Sequence, residues 1–281
     1  MHTLASILCA VLLLGAPVAG AADATDYELT TLGQALLEAG GPWFTQETEH
    51  FVCRALSESE AKTAADEAEF AYRNACVYLG AEPALRRGHL FVVNDRALWG
   101  QVLQGADRRK DSLAVQSRND VFVLKNGGGV SDAMHLPHEI VHFRLWQQYG
   151  DGVPVWLDEG LAGYVGWVVA DAYQSQKGTQ LVRTLPQLAP EELMPLDELT
   201  AVSEYPEGEE AIQAFCRQAE ELIRAIAERR GDAKLGGLAK AVAAEKVPWR
   251  EYLRSRMGYS SDDFGRLSDL VRTRAQEGEG W

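Results

Sequence analysis

Two histidines and a glutamate in one short segment are the residues of this chain best suited to chemistry. They form the run His138-Glu139-Ile140-Val141-His142, which has the spacing H-E-x-x-H. On a helix, residues four apart lie one turn above each other, so both imidazoles face the same direction. Two imidazoles so placed can bind one zinc ion, and the carboxylate between them then serves as a general base for water. The spacing therefore predicts a hydrolytic metal site. The alternative is a solvated helix whose histidines have no function.

A second segment further along the chain supplies a candidate for the third ligand. Catalytic zinc sites use three protein ligands and leave a fourth position open. Glu159 fits this need because small residues, Gly160 and Gly163, lie beside it. Small side chains let two helices approach closely enough for ligand bonds of about 2 Å to one ion. Its neighbour Asp158 is expected to point away from the metal. The alternative is an exposed acidic pair, which is favourable at a helix N-terminus without any metal.

Composition and charge restrict the classes of partner. The chain has 281 residues, 46% of them hydrophobic and 24% charged, which is typical of a globular protein with a buried core. Its net charge of −14 argues against nucleic acid and against anionic membrane surfaces as partners.

The first 21 residues are typical of a secretory signal peptide. Residues 4–14 form an apolar run, and residues 19–21 offer a small-x-small cleavage site. The run is too short to span a bilayer comfortably. The chain is therefore predicted to be secreted or periplasmic, without a stable membrane anchor after cleavage. A buried N-terminal helix is the alternative.

The cysteines leave two interpretations open. Cys53 lies in a predicted strand, and Cys76 lies on the apolar stripe of the helix that follows. An oxidising compartment would allow a disulfide between them. Two buried free thiols are the alternative. Cys216 would then have no disulfide partner.

The order of predicted elements indicates two halves of one catalytic domain, at 22–130 and 131–275. The first half is predicted to be α+β, with a helix that Ser57 caps and Gly80 ends, and with strands at 90–93 and 120–124. The second half is predicted to be helical, and residues 276–281 are expected to form a loose tail.

Three signals define the helices of the second half. Pro137 is expected in the first turn of the helix that carries the H-E-x-x-H run, where its missing amide does no harm. That helix should end at Gly150, and a long amphipathic helix should end at Gly231.

The two segments together resemble the gluzincin metallopeptidases. The matching stretches are residues 136–142 and residues 154–162, and the second has the form P-x-W-L-x-E-G-x-A of the bacterial peptidase MA-like group. The resemblance implies that His138, His142 and Glu159 bind zinc and that Glu139 activates the water. It also implies a thermolysin-like fold, in which a small α/β half with a mixed sheet and an edge strand precedes a mainly helical half.

One position departs from the pattern of that group. Its members often carry a tyrosine near the start of the long C-terminal helix, placed to stabilise the oxyanion of the tetrahedral intermediate. Cys216 aligns there, and a thiol is a poor substitute for a phenol donor. Tyr205 is the candidate replacement, with Tyr164 as another. For each tyrosine the alternative is a ring that packs with its hydroxyl at the surface.

These observations predict a zinc-dependent peptidase that hydrolyses peptide bonds by Glu-assisted attack of a zinc-bound water. Its peptide or protein substrate is expected to add as a strand to the sheet edge at 120–124. One alternative is a non-catalytic module that keeps the fold, and the zinc with it, to bind polypeptides. Another is a metal hydrolase acting on a non-peptide amide.

Overall fold

The first half of the chain contains a mixed sheet together with helices, and the second half is mainly helical. The computed structural model describes residues 26–39, 41–80, 86–105, 112–125, 130–183, 185 and 187–278. Within them the predicted α+β class is confirmed. The expected signal peptide at 1–21 and the end of the expected tail lie outside the described residues. Among the helices that are described, none has both the length and the apolar run needed to cross a membrane.

The described sheet has five strands: β1 Phe44–Glu47, β2 Phe51–Ala55, β3 Gly88–Val93, β4 Ala114–Ser117 and β5 Asp120–Leu124. Their order across the sheet is β1-β2-β3-β5-β4. The central strands β2, β3 and β5 are parallel, and each outer strand is antiparallel to its neighbour.

The prediction that 120–124 is an edge strand is wrong. A two-residue turn at Arg118 and Asn119 folds β4 back onto β5, so that Ser117 pairs with Asp120. β5 therefore has β3 on one side and β4 on the other, and β4 is the outer strand on that side. β4 was not predicted from the sequence because only Val115 of its four residues is deeply buried, so it lacks the apolar pattern of a strand.

Both faces of the sheet are buried, which explains the apolar runs of its central strands. Side chains alternate between the faces. The helices of the described residues are α1 Thr31–Ala39, α2 Glu58–Leu79, α3 Arg96–Gly105, α4 Val130–Tyr149, α5 Val155–Gln176, α6 Leu196–Leu199, α7 Glu209–Arg230, α8 Leu235–Ala243, α9 Trp249–Met257 and α10 Ser261–Glu277. Phe51, Leu90 and Val121 face the larger core, which also contains the apolar sides of α2, α4, α5 and α7. Phe91 and Phe122 face a smaller core beneath α1 and α3.

Several predicted helix ends are confirmed. The Ser57 hydroxyl accepts a hydrogen bond from the Glu60 amide at the start of α2, and Gly80 ends that helix with φ of 93°. Gly231 follows α7 with φ of 86°. At these angles a side chain would be strained, so glycine suits both positions.

Two predicted boundaries are wrong. α4 begins at Val130, so Pro137 lies inside the helix rather than in its first turn. Proline has no amide to donate to the carbonyl four residues earlier. Packing of Ala133 and Met134 against the buried ring of Trp167 accompanies the extra turns before the proline. At the other end of the chain α10 continues to Glu277, into the segment expected as a loose tail.

Of the two interpretations of Cys53 and Cys76, the structure has the free thiols. Cys53 is buried in β2 and Cys76 is half-buried near the end of α2. Burial raises the pKa of the Cys53 thiol.

Candidate metal centre

The three predicted ligands lie together between α4 and α5. His138 Nε2 is 3.0 Å from His142 Nε2. The Glu159 carboxylate lies beside both rings, with Oε2 3.8 Å from His138 Nε2 and Oε1 3.8 Å from His142 Nε2. His142 and Glu159 are each only 8% exposed. The His138 side chain is 27% exposed and gives the centre its open side.

These distances fit a single metal ion. Ligand atoms about 2.0–2.1 Å from one ion at tetrahedral angles lie about 3.3 Å from one another. The observed separations are 3.0 Å between the two nitrogens and 3.8 Å from each nitrogen to a different oxygen of Glu159. They lie on either side of that value, so small side-chain adjustments bring both nitrogens and one carboxylate oxygen to one ion. The residues present could therefore hold a metal ion.

Asp158 belongs to the centre, and the expectation that it points away is wrong. Its Oδ1 lies 3.0 Å from Nδ1 of His142. Metal-binding histidines usually donate their second ring N–H to a carboxylate, which fixes the tautomer. With Nδ1–H directed to Asp158, the Nε2 of His142 offers its lone pair to the metal position. Asp158 lies in the first turn of α5, and the close approach of α4 brings His142 within its reach.

Close packing of glycines sets the positions of the helices around the centre. A methyl group added at Gly166 would lie 2.9 Å from Cα of His138, so α5 touches the backbone of a ligand there. The glycines predicted to permit close approach face α7 instead. At Gly160 an added methyl would lie 2.6 Å from the Ala219 carbonyl, and at Gly163 it would meet the side chain of Glu220. Gly166 was not predicted from the sequence, although its place two turns beyond Glu159 follows from the helical repeat.

Electrostatics favour one positive charge at the point where the three ligands meet. Burial and the neighbouring His142 together lower the pKa of His138 to about 4. Burial opposes the charge on His142 as well, but Asp158 and Glu159 outweigh it and raise that pKa to about 10. Burial raises the pKa of Glu159, yet the two histidines reverse the shift and the net pKa is lowered. The centre is thus an ionised carboxylate and two imidazoles that together carry one proton more than their neutral forms, and a metal ion can replace that proton.

Glu139 is half-buried on α4 between the two histidines. Its negative charge contributes to the raised pKa of His142. It is absent from the cluster of candidate ligand atoms formed by His138, His142 and Glu159. Its position near the metal site without a place among the ligands suits a general base.

The candidate oxyanion donors have separate positions. The hydroxyl of Tyr205 donates a hydrogen bond to Oε1 of Glu159, which brings this residue into the centre. The thiol of Cys216 also donates to the Glu159 carboxylate. Tyr164 is directed elsewhere, since its hydroxyl donates to Oδ1 of Asp232 at 2.6 Å.

Comparison with known proteins adds no family assignment, because no protein-family model and no curated protein matches the chain.

Proposed function

We propose that this protein is a zinc-dependent peptidase of the gluzincin type with a thermolysin-like arrangement of its two halves. One observation carries the proposal. Two imidazoles from α4 and one carboxylate from α5 converge within hydrogen-bond to ion-pair distance, and a second carboxylate, Asp158, orients one of the imidazoles. Two nitrogen ligands and one carboxylate oxygen are a donor set of catalytic zinc sites, and an imidazole oriented by a carboxylate is a common feature of them.

The chain's own residues have distinct tasks in this proposal. His138, His142 and Glu159 would bind zinc, which supplies Lewis acidity toward the scissile carbonyl and lowers the pKa of water. Glu139 would accept a proton from the attacking water and deliver it to the leaving amine. Tyr205, whose hydroxyl is already within the centre, would be the donor nearest to a developing oxyanion.

The outer strand β4 offers a place for the substrate. It packs against α4, as β5 does, and its outer edge has no strand partner in the described sheet. An extended peptide could add to this edge through main-chain hydrogen bonds and so pass along the metal centre. The centre's open side at His138 gives a peptide access to the metal position. The N-terminal signal prediction adds the proposal of a secreted or periplasmic location.

Metal content and peptide digestion test this function. Purified protein should contain one zinc per chain, and Glu159→Ala should lose it. The parent should cleave members of a mixed peptide library, whereas Glu139→Gln should keep the zinc and lose turnover by several orders of magnitude. Cleavage by Glu139→Gln at the parental rate would refute the role of Glu139. Stoichiometric zinc in Glu159→Ala would remove that residue from the site.

A non-catalytic module that binds polypeptides is a second candidate, and the tyrosines favour it. Tyr164 is bonded to Asp232, and the hydroxyl of Tyr205 is bonded to Glu159. Loss of an oxyanion donor typically slows hydrolysis 100- to 1,000-fold. If the parent binds zinc stoichiometrically, retains library peptides on a column and leaves every one intact, this second function is the correct one.

A further inference from the structure

Tyr205 contacts the carboxylate ligand directly, although it lies far from it in sequence. It belongs to the segment between α6 and α7, and its hydroxyl donates to Oε1 of Glu159. The Tyr205 ring meets Phe215 edge-on, with centroids 6.5 Å apart. Phe215 is fully buried and therefore gives the ring a fixed support. The phenol is thus supported by α7, whereas the two histidines belong to α4.

Glu159 needs such support more than the histidines do. A glutamate side chain has three rotatable bonds, so a free carboxylate seldom holds one orientation. Each oxygen of Glu159 lies 3.8 Å from one histidine, so the carboxylate is directed at the point where a shared metal ion would bind. The phenol of Tyr205 donates to Oε1, the oxygen next to His142, and the thiol of Cys216 also bonds to the carboxylate. The carboxylate therefore has two hydrogen-bond donors besides the two histidines.

We infer that Tyr205 is a positioning residue that sets the affinity of the centre for zinc by holding the Glu159 carboxylate toward the two histidines. This inference rests on the metal-binding half of the proposed function and assigns a task to Tyr205 beyond that of an oxyanion donor. Substitution of residues that orient metal ligands typically weakens metal binding 10- to 100-fold. Removal of the single hydroxyl in Tyr205→Phe is expected to have an effect in that range.

Tyr164→Phe is the matched control. Tyr164 also carries a hydroxyl bonded to a carboxylate, but that carboxylate belongs to Asp232, outside the metal centre. Tyr164 lies on the same helix as Glu159, so a general effect of losing a phenol hydroxyl would appear in this variant too. The side chain of Tyr205 is 37% exposed, and its ring contact with Phe215 remains in the phenylalanine variant. The fold of Tyr205→Phe should therefore be intact, as circular dichroism can verify.

The experiment is a competition titration of zinc against a chromogenic chelator, with parent and variants. Tyr205→Phe should bind zinc 10- to 100-fold more weakly than the parent, and Tyr164→Phe should match the parent within about twofold. Glu159→Ala loses zinc on purification but keeps both histidines, so its weaker affinity is titrated at higher zinc concentrations. In that background the further change Tyr205→Phe should have no effect, because the phenol acts through the missing carboxylate. A parental zinc affinity in Tyr205→Phe overturns the inference, and so does an equal loss in both backgrounds.

Kinetics separate this task from that of an oxyanion donor. A phenol that acts only on the oxyanion would lower kcat at saturating zinc and leave the zinc affinity unchanged, and this result would overturn the positioning role. A parent that binds zinc but cleaves no peptide would refute the proposed peptidase function. The zinc titrations would still decide the role of Tyr205 in that case, since they require no turnover.

Discussion

The contact between α4 and α5 at Gly166 should be the most sensitive packing point of the metal centre. In Gly166→Ala the new methyl would lie 2.9 Å from Cα and 3.1 Å from the amide nitrogen of His138. Carbon atoms pack at about 3.5–4.0 Å, so the helices must separate by roughly 0.6–1 Å. No rotamer change can relieve the clash, because the atoms that it meets in His138 are backbone. A metal site tolerates about 0.2 Å in ligand distance, so this displacement should weaken zinc binding by at least tenfold.

The expected change in stability is the balance of two terms. Overpacking of a core typically costs about 1–3 kcal/mol, and a backbone clash should lie near the upper end. Alanine is favoured over glycine in a helix by about 1 kcal/mol, which offsets part of that cost. The net loss in free energy of unfolding should be about 1–2 kcal/mol. Urea denaturation of the metal-free protein measures this loss, and a chelator competition titration measures the affinity for zinc.

Gly265→Ala is the matched control for the helix-propensity term. Gly265 lies within α10, and an added methyl there would meet no atom within 4 Å. This variant should gain about 0.5–1 kcal/mol and bind zinc as the parent does. If Gly166→Ala were as stable as Gly265→Ala and kept parental zinc affinity, the proposed clash with the His138 backbone would be refuted.

Three further changes test the surroundings of the site and the fold. Asp158→Asn should weaken zinc binding 10- to 100-fold in a chelator titration, because Nδ1 of His142 loses its charged acceptor. Burial raises the pKa of Glu69, but hydrogen bonds from His50 and other neighbours outweigh it and lower the pKa to about 2. A lowered carboxylate pKa stabilises the protein above the unfolded value near 4.3, and this contribution disappears as the pH falls through about 2. In urea, the free energy of unfolding of Glu69→Gln should therefore lie below that of the parent at pH 6, and the difference should narrow as the pH falls below about 4.3 toward 2. A difference that does not change with pH would contradict this explanation. Arg118→Gly should raise the urea midpoint by the equivalent of about 0.5–1 kcal/mol, since Arg118 has φ of 54° in the turn before β5, and an unchanged midpoint would mean that this backbone angle carries no strain.

Local signals in the sequence predicted the elements whose ends are determined locally. The start of α2 at Ser57 and its end at Gly80 depend on residues within one turn, so the capping pattern was sufficient. β4 was not predicted because its four residues are stabilised by pairing with β5 rather than by their own pattern. The position of Pro137 inside α4 was likewise unpredictable, since it accompanies contacts of the preceding turns with Trp167 on another helix.

The same distinction applies within the metal centre. His138 and His142 could be paired from sequence because the helical repeat alone places them on one face. Asp158 could not be assigned in that way, because its direction matters only relative to α4, whose approach depends on Gly166. The contact of Tyr205 with Glu159 could not be predicted from nearby residues either, because the Tyr205 ring packs against Phe215 of α7. Residues that would bind the metal are thus visible in the sequence, whereas residues that orient those ligands depend on the packing of α4, α5 and α7. Substitutions at these packing contacts should therefore change metal affinity while every predicted ligand is retained.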